Sequence, residues 1–229
     1  MGGNGEELMA TYLVTGANRG IGLAYCQQLE ARGDAVIAVC RQQCPELESL
    51  GVQLEAGIEL SEQSSIDELV RRLEGCPLDG VILNAGILHS MGLEDLDAEA
   101  IRRQFEVNAL APLLLARALV PQMPQGSKLA LMTSRMGSID DNSSGGSYGY
   151  RMSKVALNIA GKSLAIDLKP RGIAVAILHP GLVRTGMIRF NPSGVDPSDA
   201  VKGLLARIDA LTLETSGSFW HANGQVLPW

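Results

Sequence analysis

Residues 15–22 read Thr15-Gly16-Ala17-Asn18-Arg19-Gly20-Ile21-Gly22, and the setting of this octapeptide decides the fold. It follows Thr11 to Thr15 (TYLVT), a short apolar run that reads as a buried strand. It leads into Ile21 to Arg32, where apolar residues recur at helical spacing until Gly33 supplies a stop signal. Glycine at such a junction permits a tight turn and close approach of a ligand. The helix N-terminus adds unpaired N–H groups and a positive dipole end, which suit a pyrophosphate. A glycine-rich stretch alone is an ordinary turn; between a first strand and a first helix it points to a dinucleotide. The spacing here is TGxxxGxG rather than GxGxxG.

Outward from that turn, strand and helix patterns alternate. Ala35 to Cys40 is a continuous apolar run, as expected of a strand covered on both faces. Gln53 to Leu60 reads as a weaker strand, and Ser61 to Leu73 as a charged amphipathic helix with Ser61 as N-cap. Gly80 to Leu83 is strand-like, and helices are expected over Ala98 to Ala109 and Leu110 to Met123, with Pro112 in a first turn. A strand at Lys128 to Thr133, a helix at Ser153 to Leu168 and a strand at Ile173 to Leu178 follow. The chain then closes with a helix at Ser198 to Leu211 and a strand near Gln225 to Leu227. Such alternation without a linker or repeat predicts an α/β fold: a single-domain, Rossmann-type, doubly wound parallel sheet of about seven strands.

The bulk properties agree. A chain of 229 residues is within the range of one α/β domain. The expected domain is residues 9–229, preceded by residues 1–8 as a flexible extension or non-native remnant. Met1 to Met9 is polar and acidic, so no secretory signal is read there. The apolar stretch Ala109 to Val120 is interrupted by Pro112 and Arg117 and is shorter than a membrane span needs. A formal charge of -6 and an aromatic content of 4% disfavour a nucleic-acid surface and base-stacking platforms. Four cysteines without a CxxC pair and three scattered histidines predict no metal site, free thiols and a cytoplasmic location.

Further motifs follow the glycine turn in order: Asn84-Ala85-Gly86 after the fourth strand, Asn108, Ser134 in Ser-Arg-Met-Gly137, Tyr150-Arg-Met-Ser-Lys154, and Pro180-Gly181-Leu-Val183-Arg-Thr185. With these motifs the chain resembles the short-chain dehydrogenases/reductases over essentially Ala10 to Trp229. Within that family the segment after Ser134, the inserted Asn142-Ser-Ser-Gly-Gly and the closing Leu-Pro-Trp are similar to the C-factor and sniffer-like carbonyl reductase branch.

The residues also address the choice of dinucleotide. An acidic residue after the second strand would bond a ribose 2′-hydroxyl, but the chain has Val39-Cys-Arg41 there. A guanidinium can hold a 2′-phosphate through two parallel hydrogen bonds, where a carboxylate would repel it. Arg19 resembles the basic residue of NADP-using relatives, so NADP(H) is expected rather than NAD(H). By the same resemblance Gly16, Asn18, Arg19, Gly20, Ile21 and Gly22 cradle the cofactor, with Glu59 and Leu60 near the adenine. Asn84, Ala85 and Gly86 line it, while Pro180, Gly181, Val183 and Thr185 hold the nicotinamide carboxamide.

Tyr150 and Lys154 stand four apart in a helical segment and so share one face. A carbonyl that accepts a hydride needs a proton donor, and a free tyrosine, with a pKa of ~10, is too weak an acid for easy exchange near neutrality. The nearby ammonium and an oxidised nicotinamide are expected to lower that pKa. Tyr148 lacks this arrangement, because Met152 lies four residues on. The resemblance makes Ser134 the residue that positions the substrate oxygen and Asn108 the holder of a water that links Lys154 to solvent. Ser138 competes for the serine role; Ser134 is preferred because it ends its strand. His179 is read as structural rather than as a general base.

Between Thr185 and the last helix only a short segment carries Met187, Ile188 and Phe190, which predicts an open, weakly selective apolar site. The expected function is therefore NADP(H)-dependent hydride transfer to small aldehydes or ketones, with Tyr150 as general acid/base. The alternative is a dinucleotide-binding signalling protein of the C-factor type with little turnover. No nucleic-acid or membrane partner is expected. The small residues Ala156, Ala160, Gly161 and Ala165 lie in a helix that relatives often pair across a two-fold axis, which predicts a homodimer, with a tetramer as the larger option.

Overall fold

The computed structural model describes residues 9–229; the expected extension at 1–8 lies outside the described residues. Seven strands form one sheet: β1 (Thr11–Thr15), β2 (Ala35–Val39), β3 (Gln53–Glu55), β4 (Gly80–Leu83), β5 (Lys128–Met132), β6 (Ala174–His179) and β7 (Phe219–His221). Their order is β3-β2-β1-β4-β5-β6-β7 and every pairing is parallel. β1 pairs with β2 on one side (Thr15 opposite Val39) and with β4 on the other (Val14 opposite Ile82). The chain therefore reverses its direction of travel across the sheet at β1, and the carboxyl ends of β1 and β4 open a crevice there.

Successive side chains on the strands point to opposite faces, and the core divides accordingly. Tyr12, Val14, Val36 and Ala38 pack with α1 (Gly20–Ala31) and α7 (Pro197–Asp209), through residues such as Tyr25, Leu29, Val201 and Leu204. Leu13, Ile37, Val39, Val81 and Leu129 pack on the other face. They meet α3 (Gln63–Arg72), α5 (Ala111–Leu119) and α6 (Tyr148–Leu168), through Leu69, Leu115, Leu119 and Leu157. Coverage on both faces explains why the strands read as unbroken apolar runs. Among the described residues no helix is long and apolar enough to cross a membrane.

Several elements differ from the expectation. A short helix, α2 (Pro45–Glu48), lies between β2 and β3, and β3 stops at Glu55 rather than Leu60. Ser61 is not an N-cap: α3 begins after Glu62, and Ser61 instead donates its hydroxyl to Glu59 Oε1 at 2.9 Å. The two helices expected at 98–109 and 110–123 are one helical run: α4 (Ala98–Phe105), a π-turn at Glu106–Leu110, then α5. Pro112 thus lies inside a continuous helix, where it has no N–H for the carbonyl of Asn108 four residues back. The π-turn widens the helix where that bond is missing. α6 starts at Tyr148, five residues before the expected Ser153, after Ser147 turns the chain in the left-handed region at φ 47°. The last strand is the aromatic segment Phe219–His221, while the expected Gln225 to Leu227 folds back on it, with Val226 in an antiparallel bridge to Trp220.

Candidate active site

At the carboxyl end of β1 the backbone enters the glycine turn, with Gly16 at φ 65° and Gly20 at φ 54°. A Cβ at Gly22 would lie 2.1 Å from the Gly16 carbonyl oxygen, so the first turn of α1 closes directly on the loop that precedes it. The turn is braced from β4: the Asn84 and Ala85 N–H groups donate to Thr15 Oγ1 at 3.0 and 3.1 Å. The Asn84 amide donates to the Thr15 and Gly16 carbonyls at 3.0 and 3.4 Å. Arg19 stands at the N-cap of α1 without a side-chain capping bond, and the first turn holds no acidic residue. The leading N–H groups therefore face the crevice uncapped by side chains, the condition under which a helix end accepts phosphate.

The turn meets the far side of the crevice closely. A Cβ at Gly20 would lie 3.1 Å from Thr185 Cγ2, and one at Gly86 would lie 3.2 Å from Asn108 Oδ1 and 3.6 Å from Lys154 Nζ. The glycine turn, Thr185, Gly86, Asn108 and Lys154 are thus close neighbours across the carboxyl ends of the strands. Pro180 to Thr185 continues from β6. Gly181 is at φ 86°, and the buried Val183 pairs with Val195, which closes the base of the loop that follows. That loop exposes Met187 and Phe190.

On the β2 side of the sheet Arg41 is exposed just past the strand, and its Nη1 lies 3.3 Å from Glu59 Oε2. Burial raises the Glu59 pKa, but bonds from Ser61 and the charges of Arg41 and Arg103 outweigh it and hold the carboxyl below its ordinary range. Leu60 is partly buried against the core beside it.

Four polar side chains gather where β5 ends and α6 begins. Tyr150 and Lys154 lie on one face of α6, 8% and 4% exposed, with Lys154 Nζ 5.7 Å from the centre of the Tyr150 ring. The ammonium donates to the Met132 carbonyl at 2.9 Å. Ser134, at the exit of β5, accepts from the Met136 N–H at 3.1 Å, and its hydroxyl stands near enough to the Tyr150 phenol to hold down its pKa in part. Ser138, the competing serine, accepts from the Asp141 N–H at 3.1 Å and is no partner of Tyr150. Gly137 lets α6 sit against this turn, since a Cβ there would be 2.8 Å from the Lys154 carbonyl carbon.

Asn108 is fully buried in the π-turn. Its side chain accepts from the Ile87 N–H at 2.8 Å and donates to the Ile87 carbonyl and Ser153 Oγ at 2.9 and 3.0 Å. The sequence reading missed this role for Ser153, and also Asn158, which bonds Thr133 Oγ1 at 2.6 Å and the Gly137 carbonyl at 3.0 Å. Their signal was polar side chains on the face of α6 that Lys154 shares, at positions otherwise suited to the core.

Burial acts against the expected lowering of the Tyr150 pKa. It pushes the phenol up to about 12, and Ser134 offsets only part of that rise. Burial likewise lowers Lys154 to about 8. The chain by itself therefore keeps Tyr150 a protonated donor at neutral pH, because burial strips a phenolate of its hydration. His179 is pushed down to about 3 by burial, His221 and Arg135, so it stays neutral.

A second correction concerns α6. Gly161 and Ala165 face the protein's own sheet, where a Cβ on Gly161 would lie 2.7 Å from Leu131 Cδ1. The exposed face of that helix instead carries Met152, Ile159 and Ile166. An apolar groove of about 480 Å³ lies at its start, lined by Phe105, Met136, Ile139, Tyr148, Met152 and Val155.

Residues 10–195 match the short chain dehydrogenase family. The chain is 41% identical over 226 residues to the 1-hydroxy-2-glutathionyl-2-methyl-3-butene dehydrogenase of Rhodococcus sp. (strain AD45), across 96% of this chain and 100% of that protein. It is 43% identical over 157 residues to the C-signal of Myxococcus xanthus, across 67% of this chain and 93% of the relative. The solved NADPH-bound carbonyl reductase from chicken fatty liver has a TM-score of 0.86 at 29% identity, over 96% of this chain and 99% of that one.

Proposed function

The chain belongs to the short-chain dehydrogenase family, and from that membership we propose an NADP(H)-dependent oxidoreductase acting on carbonyl and alcohol groups, with reduction of small aldehydes or ketones as its working direction. The observation that carries this reading is the buried Tyr150–Lys154 pair, with Ser134 beside the phenol, set next to Gly86 and the glycine turn at the carboxyl ends of β1 and β4.

The residues fit the cofactor. Gly16 and Asn18 to Gly22 would take the pyrophosphate on backbone N–H groups, and Arg41 with Arg19 would take the 2′-phosphate. Glu59 and Leu60 would border the adenine, Asn84, Ala85 and Gly86 would line the crevice, and Pro180, Gly181, Val183 and Thr185 would hold the carboxamide. NADPH supplies a hydride to the carbonyl carbon when bound.

The chain's own part is proton handling. Ser134 would hold the carbonyl oxygen against the Tyr150 phenol, whose O–H donates as negative charge grows on that oxygen. A phenol raised to about 12 suits this direction, since it is still a far stronger acid than the alcohol it protonates. The Lys154 ammonium favours the phenolate left behind, and a pKa of about 8 lets it exchange its own proton near neutrality. The Asn108 side chain is committed to Ile87 and Ser153, so its main-chain carbonyl, which Pro112 cannot serve, is the group to hold a relay water.

We read residues 9–229 as one domain. Four free cysteines fit a reducing cytoplasm. The exposed Met152, Ile159 and Ile166 support a homodimer through α6. A second reading, a signalling protein that binds dinucleotide with little turnover, draws on the similarity to the C-signal. NADPH oxidation against a panel of aldehydes, ketones and quinones separates the two. Turnover lost in Tyr150→Phe supports the reductase; tight NADPH binding without turnover of any compound supports the signalling protein.

A further inference from the structure

A cluster of charge on the β2 side of the sheet includes a residue outside the family motifs. Arg103, on α4, donates from Nη1 to Ser61 Oγ at 2.9 Å, and its Nη2 lies 3.3 Å from Glu59 Oε2. The same oxygen pairs with Arg41 Nη1 at 3.3 Å. Ser61 holds the other oxygen, Oε1, through its N–H at 3.3 Å and its hydroxyl at 2.9 Å. One carboxylate oxygen is thus shared by two guanidinium groups, one from the exit of β2 and one from α4.

We propose that Arg103 is a specificity-determining positioning residue: it neutralises Glu59 so that Arg41 can exchange that carboxylate for the 2′-phosphate of NADP(H). The inference rests on the NADP(H) reading above and deepens it. Arg41 is exposed and its contact with Glu59 is a surface ion pair, which contributes little and is readily given up. A guanidinium–phosphate contact is bidentate and charge-assisted, so the exchange is favourable. It remains favourable only while Glu59 does not stand as an uncompensated anion beside a phosphate dianion. Ser61 gives Glu59 hydrogen bonds but no charge; Arg103 gives the charge. With Arg103 the trio of Arg41, Glu59 and Arg103 is net cationic, and without it the remaining pair is neutral. A cofactor with only a 2′-hydroxyl is indifferent to that difference.

The test compares wild type, Arg103→Ala, Arg103→Lys, Glu59→Gln and the double variant Arg103→Ala/Glu59→Gln. Calorimetry measures binding of adenosine 2′,5′-bisphosphate and of 5′-AMP, and kinetics give KM and kcat with NADPH and NADH. Arg103→Ala is expected to weaken the bisphosphate about three- to ten-fold, the effect of one charge at this range near a protein surface. 5′-AMP, the NADH KM and kcat at saturating NADPH stay unchanged. Arg103→Lys retains most of the affinity, and Glu59→Gln in the double variant restores it, since an amide needs no counter-charge. Equal weakening of both probes in Arg103→Ala, or no recovery in the double variant, overturns the proposal. A wild type that binds the two probes alike overturns the NADP(H) reading itself. A wild type that prefers the bisphosphate, with Arg103→Ala unchanged, overturns only the role of Arg103.

Discussion

The ammonium of Lys154 lies 5.7 Å from the centre of the Tyr150 ring while it donates to the Met132 carbonyl at 2.9 Å. Both side chains are buried, and burial acts on them in opposite senses, up to about 12 for the phenol and down to about 8 for the ammonium. Each group is held in the form that suits proton donation, and for the ammonium burial carries a cost to the folded state.

That cost predicts a trade between stability and activity at Lys154. A shift from 10.5 to about 8 disfavours the charged form by roughly 3 kcal/mol at neutral pH. Lys154→Met should abolish most turnover yet leave Tm at pH 7 unchanged or a few degrees higher. The sign of the pH dependence follows. Between about pH 8 and 10.5 the unfolded lysine binds a proton that the folded one has lost, so this group's contribution to stability rises with pH. The Tm gap between variant and wild type should therefore narrow from pH 7 to pH 10, as scanning calorimetry would read. A gap that widens contradicts the burial of a charged amine.

Arg41 should separate the two nicotinamide cofactors. Loss of a charge-assisted phosphate contact costs about 1.5–3 kcal/mol, so Arg41→Ala should raise the NADPH KM about ten- to a hundred-fold and barely move that for NADH. Steady-state kinetics with both cofactors checks this; equal losses would remove Arg41 from the 2′-phosphate.

Gly22 is closed to any side chain. A Cβ 2.1 Å from the Gly16 carbonyl forces the turn open. Gly22→Ala should destabilise by ~1–3 kcal/mol and weaken NADPH binding at least as strongly as Arg41→Ala. Chemical denaturation together with NADPH fluorescence titration measures both effects.

The outer face of α6 is the proposed dimer surface. Placing a charge at Ile159 and Ile166, both exposed, should convert a homodimer to monomer without loss of fold. Light scattering of Ile159→Glu/Ile166→Glu against wild type reads the mass directly, and an unchanged mass places the interface elsewhere.

Much of this was legible in the sequence because it is local. The glycine turn sits between one strand and one helix, and Tyr150 and Lys154 are one helical turn apart, so spacing alone aligned them. Less was legible where the deciding partner is distant. That α6 starts at Tyr148, after the left-handed Ser147, was not legible, and it places Tyr150 in the first turn of the helix. Pro112 stands in the first turn of α5 as expected, but the π-turn at Glu106–Leu110 that joins α4 to α5 into one run was not legible. The burial that pushes the Tyr150 phenol up was not legible, because proximity to an ammonium is visible in sequence and burial is not. β7 was placed in the wrong short apolar run, since Phe219–His221 and the segment that folds back on it look alike without tertiary contacts.

Single-turnover NADPH oxidation with a small aldehyde, in wild type and Tyr150→Phe, tests the central claim most directly. Removing only the phenol oxygen should leave NADPH affinity intact and slow the hydride step about 10²- to 10⁴-fold, the range for a positioned general acid. A Tyr150→Phe variant that oxidises NADPH at the wild-type rate would contradict the account.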